Sequence, residues 1–258
     1  AGILKDPEVK KLYEEKIKTA TTLDRVERIQ KIAEDQEAKD MLTNARSVNR
    51  QERTAGIGKI FLHLDFSGSM SGIQQFAIDR GAIFAECVNN PTENFSWGAF
   101  GANAMPLPLP KAFVKDAFAA ILFGIPSMGG TDCFALYPHA RQFGADVDVF
   151  VSDQDHTYGD FGARLEEFHR ANPTIFKPKA CVIVDFSEGR HSDIKNAYER
   201  IGVPVSELKP DALKESALVA EAVKVAALGP VAVVDEIMAT ELLKLPEYYY
   251  SLNEAIPD

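Results

Sequence analysis

Residues 60–69 read IFLHLDFSGS: a short apolar run that ends at an acid and empties into a Ser-Gly-Ser turn. A run of this length is too short for a buried helix and suits a fully buried strand. Asp65, Ser67 and Ser69 then fall at alternate positions in the turn that leaves the strand, so their oxygens can converge above the sheet edge. Gly68 and Gly72 are expected to let this loop bend. GIQQFAIDRGAIFAECV, residues 72–88, repeats its apolar residues with a helical period and completes a strand-loop-helix unit.

The same alternation continues downstream. FSWGAF at 95–100 reads as a second strand, DVDVFVSD at 146–153 as a third that ends at an acid, and ACVIVDF at 180–186 as a fourth. Helical patterns lie between them at 111–125, after Asp132 through Arg141, and at 164–172. MPLPLP at 105–110 cannot sit inside a sheet and is placed at an edge or in a connection. Near-continuous apolar strands alternating with helices imply an α/β fold: a doubly wound, mostly parallel sheet covered on both faces. Ligand sites in such sheets lie at the carboxyl ends of the strands.

Outward from residues 56–208, the flanks differ in character. Residues 1–55 are rich in charge, nearly free of glycine, and space Leu12, Ile17, Leu23, Val26, Ile29 and Ile32 at rough helical intervals, which predicts a helical arm. Residues 209–258 predict C-terminal helices broken at Gly229-Pro230, then a tail carrying three consecutive tyrosines.

The 258 residues are 46% hydrophobic and 26% charged, an ordinary globular composition. A net charge of -10 and a pI near 5.1 disfavour nucleic-acid backbones and anionic lipid surfaces. The sequence shows no run of the ~18 apolar residues that a membrane-spanning helix needs. Cys87, Cys133 and Cys181 lack CxxC spacing and suit small reduced core residues, which points to the cytoplasm.

One carboxylate with two hydroxyls is a hard oxygen set, suited to Mg2+ or Mn2+ and poor for zinc. More ligands must come from other strand ends, and two candidates stand there: Thr131 in the Gly-Gly-Thr-Asp turn, and Asp153 immediately after VDVFVS. Asp155 competes with Asp153 in the same SDQD loop, and an isolated DxSxS is also satisfied by Asp65 or Ser69 capping the following helix.

LDFSGS, GGTD and VFVSD, in this order, resemble the three loops of the metal-ion-dependent adhesion site of von Willebrand factor A domains. IPSMGGTDCFALYPHA and ADVDVFVSDQDHTYG look more narrowly like the A-type domain of the Ro/TROVE ribonucleoprotein family, over residues 58 to about 190. The resemblance implies that Ser67, Ser69 and Thr131 touch the cation directly and that Asp65 and Asp153 act through water. It leaves one coordination position for an acidic residue of a partner protein. RNA enters only through this resemblance, since the large helical ring that precedes the A domain in Ro proteins has no counterpart in about 55 amino-terminal residues.

The leading expectation is therefore a non-enzymatic, metal-dependent interaction module. A scaffold subunit of a large particle, contacting copies of itself through the arm, MPLPLP and the tyrosines, is the alternative. A strand ending in Asp65 with Mg2+ also resembles the opening of haloacid-dehalogenase-type phosphotransferases, but the proton-donating acid they need two residues later is Ser67 here. His63 is expected inside the strand, Trp97 in the core, and Arg164 on a solvated helix face.

Overall fold

The computed structural model describes residues 57–71, 83–85, 87–111, 113, 115–210, 222, 223 and 225–227. The expected arm at 1–55, Gly72, most of the helix at 72–88 and most of the C-terminal helices lie outside the described residues.

Six strands form one sheet: β1 Ile60–Asp65, β2 Phe95–Phe100, β3 Ala104–Pro106, β4 Val147–Ser152, β5 Ala180–Asp185 and β6 Val205–Leu208. Their order is β3-β2-β1-β4-β5-β6, parallel throughout except for β3, which runs antiparallel to β2. The described helices between them are α1 Pro91–Asn94, α2 Lys115–Leu122, α3 Tyr137–Phe143, α4 Phe161–Ala171 and α5 Asp193–Arg200. This is the doubly wound α/β sheet that the alternating pattern implies, and its order reverses between β1 and β4.

Side chains alternate across each strand, so each sheet face collects its own layer. Leu62, Leu64, Trp97, Val149, Val151 and Val182 pack with Phe84, Phe118 and Leu122 of the helices on one side. Phe61, Phe150, Cys181 and Ile183 pack with Tyr137, Leu165, Ile194 and Tyr198 on the other. Both faces are covered, which explains why β1, β4 and most of β5 are buried without a polar-out rhythm. Ile183→Val, which removes one methylene from the second layer, is expected to cost about 1 kcal/mol, read as a shift in denaturant midpoint at unchanged slope.

MPLPLP sits at the sheet edge, as its prolines require: Met105 and Pro106 pair with Ala99 and Gly98 on one side only. The Trp97 indole, fully buried, donates from Nε1 to the Pro108 carbonyl at 3.0 Å. Helix α4 begins at Phe161, three residues before the expected start, because Asp160 caps it by accepting from Ala163 N at 2.9 Å. Helix α5 and strand β6 carry no expectation from the sequence. Among the described residues no helix is long and apolar enough to cross a membrane.

One feature of the second layer is ionic. Asp148, the second residue of β4 and fully buried, accepts from Arg141 Nη2 at 2.6 Å and from Tyr198 Oη at 2.8 Å. Burial works to raise its pKa, but the Arg141 guanidinium, with the Tyr198 hydroxyl, outweighs it and holds the carboxyl below its usual range. His63 is inside the strand as expected, its ring stacked 4.1 Å from Phe150 and its Nε2 at 3.5 Å from Asp148, too long for a hydrogen bond. Burial lowers its pKa, so the ring is neutral.

Candidate metal centre

Asp65 closes β1, and the parallel register of Leu64 with Val151 sets it beside Ser152 at the end of β4. Its carboxylate is fully buried and doubly held: Oδ1 accepts from Ser67 N at 2.8 Å and Oδ2 from Ser152 Oγ at 2.6 Å. Ser152 Oγ in turn accepts from Gln154 N at 3.0 Å, which ties the loop after β4 to the same carboxylate.

The turn after β1 continues the sheet's hydrogen bonding on its other flank. Phe66 N donates to Phe100 O at 2.7 Å, Met128 N to Phe66 O at 2.7 Å, and Gly68 N to Gly129 O at 2.8 Å. These bonds draw the Gly-Gly-Thr turn against the Asp-x-Ser-x-Ser turn. Gly129 has φ 79°, a region that favours glycine. A Cβ on Gly130 would stand 3.0 Å from Thr157 Oγ1 and 3.1 Å from the Tyr158 ring, so only glycine lets the two loops close up without displacement. Gly68 has no positive φ, and a Cβ there would only touch Gly129 O at 3.7 Å; the expected bend does not depend on it.

Ser67 is buried and Ser69 exposed, and their hydroxyls lie 3.1 Å apart. Thr131 is buried and clamped at its backbone by Thr157, whose Oγ1 accepts from Thr131 N at 2.9 Å and whose N donates to Thr131 O at 2.9 Å. Asp153 is half-buried and accepts from Asp155 N at 3.3 Å through Oδ1.

The Asp65 carboxyl is pushed up to about 6, chiefly by burial and further by the charge of Asp153, against the hydrogen bonds from Ser152 and Ser67. Asp65 and Asp153 are thus close enough to repel one another. A repelling buried carboxylate is relieved by a cation.

The Ser67 and Ser69 hydroxyls suit Mg2+ in chemistry and in spacing. Adjacent ligands of an octahedral Mg2+ at ~2.05 Å are separated by about 2.9 Å, near the Ser67–Ser69 hydroxyl spacing of 3.1 Å. Both Asp65 oxygens already accept protein hydrogen bonds, an arrangement that suits a carboxylate acting through water. Among the described residues no three His, Cys, Asp or Glu side chains gather at metal-binding range, so any cation here must draw on hydroxyls. That suits a hard ion and not zinc.

Three supporting residues escape a motif reading. Ser152 bonds Asp65 directly. Arg164 is no mere solvated side chain: Nη1 donates to Asp132 Oδ1 at 2.6 Å and its guanidinium lies 4.5 Å over the Phe134 ring. Asp132 is therefore committed to Arg164 and to Phe134 N. His156 accepts from Cys133 N at 3.2 Å. A serine closing an apolar strand, or an arginine some thirty positions from its acid, has no local pattern to betray it.

No protein-family model matches the chain, and no curated protein matches it. Among solved structures it is similar to an aerotolerance-related membrane protein from Bacteroides fragilis, at 13% identity over 66% of this chain and 98% of that one, with a TM-score of 0.46. It is also similar to the Ro protein of Deinococcus radiodurans, at 18% identity over 73% of this chain and 39% of that one, with a TM-score of 0.44. At these values the fold rests on strand order and register, not on the likenesses.

Proposed function

We propose that the chain is a non-enzymatic interaction module of the von Willebrand factor A type, Ro-like, that holds Mg2+ or Mn2+ through Ser67, Ser69, Thr131, Asp65 and Asp153. The cation, when bound, supplies an electrophilic position for a carboxylate of a partner protein. The observation that carries this reading is the convergence of three loops at the reversal point of the sheet: Gly68 N on Gly129 O, and Ser152 Oγ on Asp65. Ser67 and Ser69 offer neutral oxygens, so no charged ligand in direct contact weakens the cation's pull on an incoming acid. Asp65 and Asp153 balance the cation's charge from the outer layer.

The Cys133 thiol is fully buried and pushed well above its usual value, first by burial and then by Asp65, Asp132, Asp193 and Asp153. Such a thiol stays protonated and does not attack.

Calorimetric titration of metal-stripped protein with Mg2+ and Mn2+ tests the reading. Binding by the parent is expected, with none by Ser67→Ala/Thr131→Ala, whose thermal midpoint in EDTA should match the parent's. No heat from either cation in the parent would end the metal reading. An unfolded double variant would make these side chains core supports.

A further inference from the structure

Thr131 stands in a turn that no regular element holds, since residues 125–132 carry neither helix nor strand. Its position depends on the loop that leaves β4. Thr157 grips Thr131 itself, and the next grip is a ring: Cys133 N donates to His156 Nδ1 at 3.2 Å, while His156 Nε2 lies 2.9 Å from Tyr158 O. An amide only donates and a carbonyl only accepts, so the neutral tautomer with its proton on Nε2 is the one that satisfies both. His156 N also donates to Asp193 Oδ2 at 3.0 Å at the start of α5, and the ring packs 5.4 Å from Phe161 at the start of α4.

His156 thus joins the Thr131 turn to the loop that carries Asp153, its ring resting on the start of α4 and its backbone N–H on the start of α5. We propose that His156 is the positioning residue of the candidate cation site: it holds Thr131 in place through Cys133 without touching the cation. This rests on the metal reading above. A histidine suits the task because it accepts at one edge and donates at the other while presenting a flat apolar face to Phe161. Without it the amide of Cys133, a fully buried residue, has no acceptor, and the turn must shift to find one.

The test uses the full chain, with amide hydrogen exchange in EDTA and Mg2+ titration run side by side on the parent, His156→Phe and His156→Asn. The phenylalanine variant should exchange faster at 131–133 with β5 unchanged, and its Mg2+ affinity should fall about 10-fold, the lower range for loss of a group that orients a ligand. Asparagine, whose Oδ1 can accept from Cys133 N, should restore part of both. Unchanged exchange in His156→Phe overturns the proposal whether or not the parent binds Mg2+. Faster exchange with unchanged affinity overturns the positioning role. A parent that binds no Mg2+ overturns the metal reading and the positioning role with it, while the exchange data still report the brace separately. Should the phenylalanine variant not fold, His156→Ala carries the same two readouts without a ring against Phe161.

Discussion

Asp148→Ala is expected to destabilise the protein by about 3–5 kcal/mol, because it leaves the buried Arg141 guanidinium without its counter-charge. For a chain of this size that is a fall of roughly 10 °C in thermal midpoint. The size follows from what stays behind. Arg141 has 2% of its side chain exposed, its Nε already lacks a partner, and only the Ala145 and Phe176 carbonyls would remain for Nη1. Tyr198 Oη would lose its acceptor as well. His63 cannot replace the lost charge, since its buried ring is neutral. Arg141→Met combined with Asp148→Asn should recover most of the loss, because no buried charge then remains and the new side-chain amide oxygen can still accept from Tyr198. A double-mutant cycle built on these two positions isolates the coupling. A double variant whose loss equals the sum of the two single losses would show that the pair's charges are not coupled.

That pair also marks where sequence reading stops. Strands β1, β2, β4 and β5 were legible to within a residue because each is a short apolar run closed by a turn residue or an acid. Asp148 hides within such a run: DVDVFVSD reads as a strand whether its second acid is paired or not, and its partner sits on the preceding helix. Helix α5 was invisible for a related reason. DIKNAYER is mostly polar, and its three inward residues Ile194, Ala197 and Tyr198 make a single stripe too short to stand out. Strand β6, VSEL, is a four-residue edge with an acid in it.

The candidate site was more legible than the residues that brace it. Asp65, Ser67 and Ser69 announce themselves by spacing, and Thr131 and Asp153 by their places at turns. The structure brings the Ser-Gly-Ser turn and the Gly-Gly-Thr turn into contact through backbone groups that any residue carries, so no side-chain pattern could have shown the contact. Ser152, His156 and Arg164 act on backbone or carboxylate atoms far along the chain, and spacing cannot register such pairs.

Asp65→Asn should make the metal-free protein more stable near pH 7.5 and abolish its response to Mg2+. The Asp65 pKa is about 6 in the fold against 3.8 for an unperturbed aspartate, so between these values the folded state holds more proton than the unfolded chain. Stability of the metal-free parent therefore falls as pH rises from about 4 to about 6, and the deficit persists above that window. About two pKa units correspond to roughly 3 kcal/mol. Asparagine removes the ionisation while keeping the shape: Oδ1 still accepts from Ser67 N, and Nδ2 can donate to Ser152 Oγ. Thermal midpoints in EDTA across pH 4–8 should thus decline for the parent and stay flat through this window for the variant. Adding Mg2+ at about 100 times its Kd should lift the parent by about 2.7 kcal/mol, since only the folded state binds it, and leave the variant unmoved. A variant less stable than the parent in EDTA at pH 7.5 would mean that the ionised carboxylate stabilises the fold, through Ser67 and Ser152, more than its burial opposes it. On the proposed reading the two buried acids play opposite parts: Asp148 has its countercharge built into the chain, and Asp65 would draw its own from a bound cation.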